Sequence, residues 1–306
     1  MKSTTSKARD ALLSAIFKNP EDDEKRLVLA DALLELGDPR GEFIVEQGKR
    51  LASGKQNPST KERALQKRHR DEWLGPIAPL LKQETFRLGF VSVAALRSPG
   101  FESRLLRARE WRTVERLDLG NHRNVGATSE KVGAAVLSRA DLVSLREVST
   151  VFVELIEQAA QANKTTHWTS LSSVNILNPR SDFAALSTLD DALTRLTRIE
   201  CVDAFMEGEL DDDEVDSGQL HAEFLRSRLA TRLEFVVLRT SNATLEMLAR
   251  VALEANLRAF EFSSSEQEWK RAGLRWDGRV LTVSGPINPS LPGIRIERFV
   301  EEENGR

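Results

Sequence analysis

One apolar spacing, large-x-x-large-x-x-large-x-large, recurs through the last two thirds of the chain. It runs through Trp111, Val114, Leu117 and Leu119, then Leu142, Leu145, Val148 and Thr150, then Trp168, Leu171, Val174 and Ile176, then Leu193, Leu196, Ile199 and Cys201. Looser copies follow at Ala230, Leu233, Val236 and Leu238 and at Leu257, Phe260 and Phe262. A unit of ~25 residues cannot bury its own apolar face, so the spacing predicts stacked units with a shared core and one long exposed surface. Helical patterns between the copies predict helices over 102–109, 129–138, 152–161, 183–193, 220–229 and 244–254, hence an α/β chain of alternating parallel strands and helices. Phe86 to Leu96 is expected to form the first strand.

The N-terminal part reads as helices. Leu12, Leu13, Ile16 and Phe17 form one apolar stripe, ended by Asn19-Pro20. Acidic Glu21, Asp22 and Asp23 suit the start of a second helix, whose stripe Leu27, Ala30, Leu33 and Leu34 runs to the break at Gly37-Asp38-Pro39. A third begins near Gly41 with Phe43 and Ile44 inward, and Ser59-x-x-Glu62 is a capping-box pattern opening a fourth.

The run Leu12-Leu13-x-Ala15-Ile16-x3-Pro20-x-Asp22-Asp23-x2-Arg26-Leu27-Val28-x-Ala30-Asp31-x-Leu33-x-Glu35-x-Gly37-Asp38-Pro39-Arg40-Gly41-Glu42-Phe43-Ile44-x2-Gln47 resembles the bacterial repeat-companion domain, a short helical module that precedes leucine-rich-type repeats. The resemblance continues more weakly through Trp73-Leu74-Gly75-Pro76 to Gly89-Phe90-Val91, and the family commonly carries aromatic residues where this chain has Leu29 and Ala32. It implies a helical module over residues 1–84, a degenerate leucine-rich-repeat-like solenoid over 85–265 and capping strands over 266–306. The asparagine usual after such strands has candidates only at Asn121 and Asn178. In the last part, Trp276-Asp277-Gly278-Arg279 reads as a hairpin turn, and Ile294, Ile296, Phe299 and Val300 as a final strand or as a cover over the end of the solenoid.

With 306 residues, a formal net charge of −3 and 40% hydrophobic residues, the chain is globular, and its charge imposes no polyanionic partner. One cysteine, Cys201, excludes an internal disulfide and falls on an apolar position of a repeat. No stretch reads as a signal peptide or membrane span, so cytoplasmic residence is expected.

Motifs for phosphate loops, dinucleotide binding, HExxH metal sites and GxSxG nucleophiles are missing, and His69, His122, His167 and His221 lack companions at metal-ligand spacing. No cofactor, metal or catalytic residue is expected. The Asp22-Asp23 and Gly37 to Glu42 clusters read as a helix start and a turn, with Asp38 capping and Arg40 pairing with a nearby acid; a partner or cation site is the alternative. The acidic run Glu207 to Asp216 reads as a charged loop, or else as a partner-binding one.

Strand alternation turns two rows toward the open face. One contains Arg116, Glu147, Ser173, Arg198, Phe235 and Ala259; the other contains Asp118, Ser149, Asn175, Glu200, Val237 and Glu261. Mixed charge there suits a protein partner, with Phe235 and Val237 as an apolar anchor unless the register slips and both are core. A non-enzymatic interaction scaffold is the expected function. The basic stretch 49–70, including Lys61, Arg63, Lys67, Arg68 and Arg70, supplies the nucleic-acid alternative, set against an ordinary solvated helix face; an enzyme with an unrecognised site is a further alternative.

Overall fold

The computed structural model describes residues 2–97, 107–119, 135–139, 142–151, 155–156, 158–159, 173–177, 190, 193–202, 217–240, 242–264, 272–285 and 289–298. The chain divides into two compact units, Met1–Val148 and Ser149–Arg306. Each is mixed α/β, and among the described residues neither sheet closes into a barrel.

The first unit starts with α1 (Lys2–Lys18), α2 (Asp23–Glu35), α3 (Pro39–Ala52) and α4 (Thr60–Leu74). Their starts follow the capping chemistry of the sequence. Asp22 accepts the Lys25 N–H, Asp38 accepts the Arg40 N–H with Pro39 at the first helical position, and Ser59 accepts the Glu62 N–H at 3.0 Å. Gly41 permits the close crossing of α2 and α3, since a Cβ there would lie 2.8 Å from the Ala30 carbonyl oxygen. The core between the helices holds Leu13, Ile16, Phe17, Leu29, Ala30, Leu33 and Ile44, joined by Leu88 and Phe90. Burying a side chain of this size stabilises by about 1.5–3 kcal/mol.

Leu88 and Phe90 belong to an antiparallel hairpin of β1 (Leu81–Arg87) and β2 (Phe90–Leu96). The expected single strand Phe86 to Leu96 is therefore corrected: Leu88 (φ 44°) and Gly89 (φ 80°) form a two-residue turn in which both residues take positive φ, the geometry of a type I′ hairpin. The boundary placed at 84/85 falls inside β1, and the hairpin shares the helical core. β2 continues in parallel with β3 (Arg116–Asp118), pairing Val93 with Arg116 and Ala95 with Asp118. β4 (Glu147–Val151) crosses the division between the units.

In the second unit β5 (Ser173–Leu177), β6 (Arg198–Val202), β7 (Phe235–Thr240) and β8 (Phe260–Ser264) pair in parallel and in that order. β9 (Gly273–Trp276) runs antiparallel to β8, β10 (Leu281–Ser284) antiparallel to β9, and β11 (Ile296–Arg298) parallel to β10. The turn expected at Trp276 to Arg279 joins β9 to β10, with the Asp277 carboxylate accepting the Arg279 and Val280 N–H groups and held below the usual carboxylate pKa, first by the Val280 bond. Helices α5 (Ser217–Leu225), α6 (Arg228–Arg232) and α7 (Asn242–Glu254) lie between strands in the chain. The single helix expected over 220–229 is two helices, because Ser227 leaves the helical path and accepts the Ala230 N–H to cap α6. Of the other expected helices, 244–254 is α7, and 135–137 and parts of 155–159 are helical. The described parts of 102–109 and 183–193 hold no α-helix, Arg109 opening a short 3-10 turn (Arg109–Thr113); the remaining residues of those spans, with Asn121, Asn178 and the acidic run 207–216, lie outside the described residues.

The recurrent spacing has one physical meaning in both units. Every member whose side chain is described is buried, from Trp111, Val114, Leu117 and Leu119 to Leu257, Phe260 and Phe262. Its first two positions are closed by the same tight turn: Val114 N–H to Trp111 O, Leu145 to Leu142, Leu196 to Leu193 and Leu233 to Ala230, at 2.9–3.2 Å. The last two positions alternate along the following strand. The spacing is thus one turn plus one strand, with every described large residue facing the core.

Candidate functional site

The residues of the two rows are placed by strand register. Across β5, β6 and β7, Ser173, Arg198 and Phe235 are direct partners; across β5 to β8, so are Asn175, Glu200, Val237 and Glu261. The side chains of Ser173 and Asn175 lie outside the described residues. In the first unit, exposed Arg116 reaches Glu147 at 4.0 Å, with Asp118 two residues along β3 from Arg116. Ser149 lies on β4 beyond the division and is half-buried.

Glu200 is the hub of the second unit's face. One carboxylate oxygen accepts from Arg239 at 3.1 Å and the other pairs with Arg198 at 3.5 Å. The Arg198 guanidinium lies 4.8 Å from the centroid of the Phe235 ring. This arrangement corrects the expected apolar anchor. Val237 is only 4% exposed, although the register has not slipped: Val236 and Leu238 fill the core from the opposite face. Val237 stands mid-face with Glu200 and Glu261 as its strand partners, and Phe235 is half-buried beneath Arg198. Arg239 and Arg275 share this face, the first two residues on from Val237 and the second directly opposite Glu261. Sequence reasoning missed both. Alternation would have found Arg239; Arg275 required the hairpin register.

Half of the cations in the basic stretch are paired with acids. Lys49 pairs with Glu46, Arg50 with Glu62, Lys61 with Glu42 and Arg70 with Glu84. The Glu42 hydrogen bond raises the Lys61 pKa, and the Glu84 bond raises that of Arg70. Arg63, Lys67 and Arg68 remain exposed on α4 without an ion pair among the described residues. His69 stacks on Trp73 and meets Glu72, and no group of three His, Cys, Asp or Glu among the described residues could hold a metal ion.

The polar residues of the N-terminal run hold the hairpin turn from below. Buried Gln47 donates to the Phe86 carbonyl at 2.9 Å and accepts the Gly89 N–H at 2.7 Å. The expectation that Arg40 pairs with an acid is corrected: it donates to the Gly89 carbonyl at 2.9 Å and to the Trp73 carbonyl at 3.4 Å, over the Phe90 ring. Burial lowers its pKa to about 10. Arg26, lowered by burial in the same way, donates to Arg87 O and Pro20 O. The capping box is only half formed, since the buried Glu62 carboxylate turns to Arg50 and Gln47. These groups are spent on structure, which leaves the strand face as the candidate site.

No family model matches the chain, and the comparisons with curated proteins and with solved structures found no match. Among the described residues, no helix is long and apolar enough to cross a membrane.

Proposed function

We propose that the chain is a non-enzymatic interaction scaffold of the cytoplasm. In this reading a helical repeat-companion module leads into a leucine-rich-repeat-like solenoid with a β cap, and a protein partner is held on the strand face. The observation that carries it is the in-register ladder Ser173–Arg198–Phe235 and Asn175–Glu200–Val237–Glu261, on strands whose opposite face is fixed by the core. Such strands present side chains already ordered, so association loses little conformational entropy. On this face Glu200 holds Arg198 and Arg239 in place, as suits positioning a partner. Affinity capture from nuclease-treated native lysate tests the reading with an Arg116→Glu/Arg198→Glu variant. A protein retained by wild type and lost by the folded variant is the expected result; equal retention refutes it.

A second reading, nucleic-acid association, draws on exposed Arg63, Lys67 and Arg68. It requires binding that falls steeply with salt and is lost on Arg63→Glu/Lys67→Glu/Arg68→Glu.

A further inference from the structure

The two strand rows hold more acids than bases, but on the β6–β9 face, where Arg239 and Arg275 join them, exposure separates the two signs. The Arg198 side chain is 43% exposed and Arg239 50%, whereas Glu200 is 20% exposed and has both oxygens engaged by those two arginines. Arg275 is exposed and has no ion pair among the described residues; its strand partner Glu261 is half-buried. The acids are thus recessed and the guanidinium groups outermost. A guanidinium offers five N–H donors in a planar fork, so one bond to Glu200 leaves most of its hydrogen-bonding capacity facing outward. Stacking on Phe235 and the pull of Glu200 fix the Arg198 fork in orientation.

We propose that the β6–β9 face takes an acidic, extended segment of a partner protein, its carboxylates docking on Arg198, Arg239 and Arg275. The proposal rests on the scaffold reading and names the chemistry of its partner. Val237 is covered and Phe235 lies half-buried under Arg198, so among the described residues of the face the outermost groups are charged and charge selects the ligand. Three strand steps separate β6 from β9, about 14 Å at ~4.8 Å per step, a span that an extended segment crosses in four to five residues at ~3.3 Å each. Acids at alternate positions of that segment point to one side and meet the arginines. A nucleic acid fits less well: three cations beside two carboxylates release few counterions, and the Phe235 ring, under Arg198, is not free to stack on a base.

Selection of a displayed library of random dodecapeptides on the full-length chain tests this, followed by fluorescence anisotropy of the selected peptides at about 0.1 M salt, where the screening length is ~10 Å. Arg198→Gln/Arg239→Gln/Arg275→Gln is the main variant. Arg239→Gln/Arg275→Gln, which leaves the Arg198–Phe235 stack intact, serves if the first melts early. The expected result is enrichment of Asp and Glu at alternate positions, with binding reduced about tenfold or more in either variant, a change of ~1.4 kcal/mol. Peptides that depend on the face but show no acidic enrichment overturn the proposal and leave the scaffold reading standing. Peptides indifferent to both variants, or none selected, overturn both. A single-stranded oligonucleotide that binds wild type tightly and is lost with the same variants overturns the proposal in favour of a nucleic-acid ligand.

Discussion

Replacing Gln47 with alanine removes the side chain that ties α3 to the hairpin turn. Three hydrogen bonds go with it: Nε2 to Phe86 O at 2.9 Å, Gly89 N–H to Oε1 at 2.7 Å, and Nε2 to Glu62 at 3.3 Å. The third contributes little, because Arg50 already holds both Glu62 oxygens. The first two matter more, since the Gly89 N–H and the Phe86 carbonyl become unsatisfied in a buried place, each at about 1–3 kcal/mol. Allowing for a water entering the vacated space, the expected loss is about 3 kcal/mol, a large part of the 5–15 kcal/mol typical of a domain. Hydrogen exchange read on the 81–96 hairpin reports it locally, and at ~1.4 kcal/mol per decade the protection should fall about a hundredfold. Gln47→Leu fills the space, excludes the water and should cost at least as much. Gln47→Glu keeps an acceptor for Gly89 but sets a carboxylate against the Phe86 carbonyl and Glu62. Both neighbours raise the introduced carboxyl's folded pKa above its unfolded value, so the folded chain holds the extra proton; stability then falls as pH rises through this window and recovers on acidification to about pH 5. Hairpin protection within threefold of wild type in Gln47→Ala, or no acid recovery in Gln47→Glu, would refute the reasoning.

Gly89→Ala should cost about 2–4 kcal/mol, because its φ of 80° disfavours a Cβ and that Cβ would collide with Ile44; a melting temperature unchanged from wild type would contradict the close contact. Asp22 has its pKa lowered first by its side-chain bond to Lys25, so its charge stabilises the folded chain above the unfolded pKa near 3.9 and stops doing so as pH falls through the lower folded value. The melting-temperature gap between wild type and Asp22→Asn should therefore close on acidification, and a constant gap counts against the charge. Cys201 is fully buried on β6 and should react with a thiol reagent only after unfolding, at the unfolding rate; immediate reaction in the native chain would show the core open there.

The parts of the fold legible in the sequence were those that neighbouring residues decide. Caps at Asp22, Asp38 and Ser59 need only a side-chain oxygen and an N–H two or three residues on. The hairpin at Leu88-Gly89 was not legible, because a leucine at positive φ is disfavoured locally and the turn is held through Gly89 by Gln47 and Arg40, 42 and 49 residues away from it in sequence. The candidate face was half legible: alternation identified Arg198, Glu200, Phe235, Val237 and Glu261, but could not tell that Val237 is covered or that Arg275 joins them.

The sequence by itself determined the repeat, since a tight turn followed by alternation requires large residues at three, three and two positions, and those of them that are described are buried in both units. It also determined which face each strand residue takes, because side-chain direction along a strand has a period of two whatever lies alongside. The tertiary structure alone decided the fate of the polar groups. Arg26, Arg40, Gln47 and Glu62 are buried because carbonyls, N–H groups and counter-charges brought from distant segments satisfy them, and without those partners burial would be too costly. On the strand face the same rule, applied between strands, sets Glu200 beneath two arginines, so that the outermost charges of the β6–β9 face are positive although acids outnumber bases in the two rows.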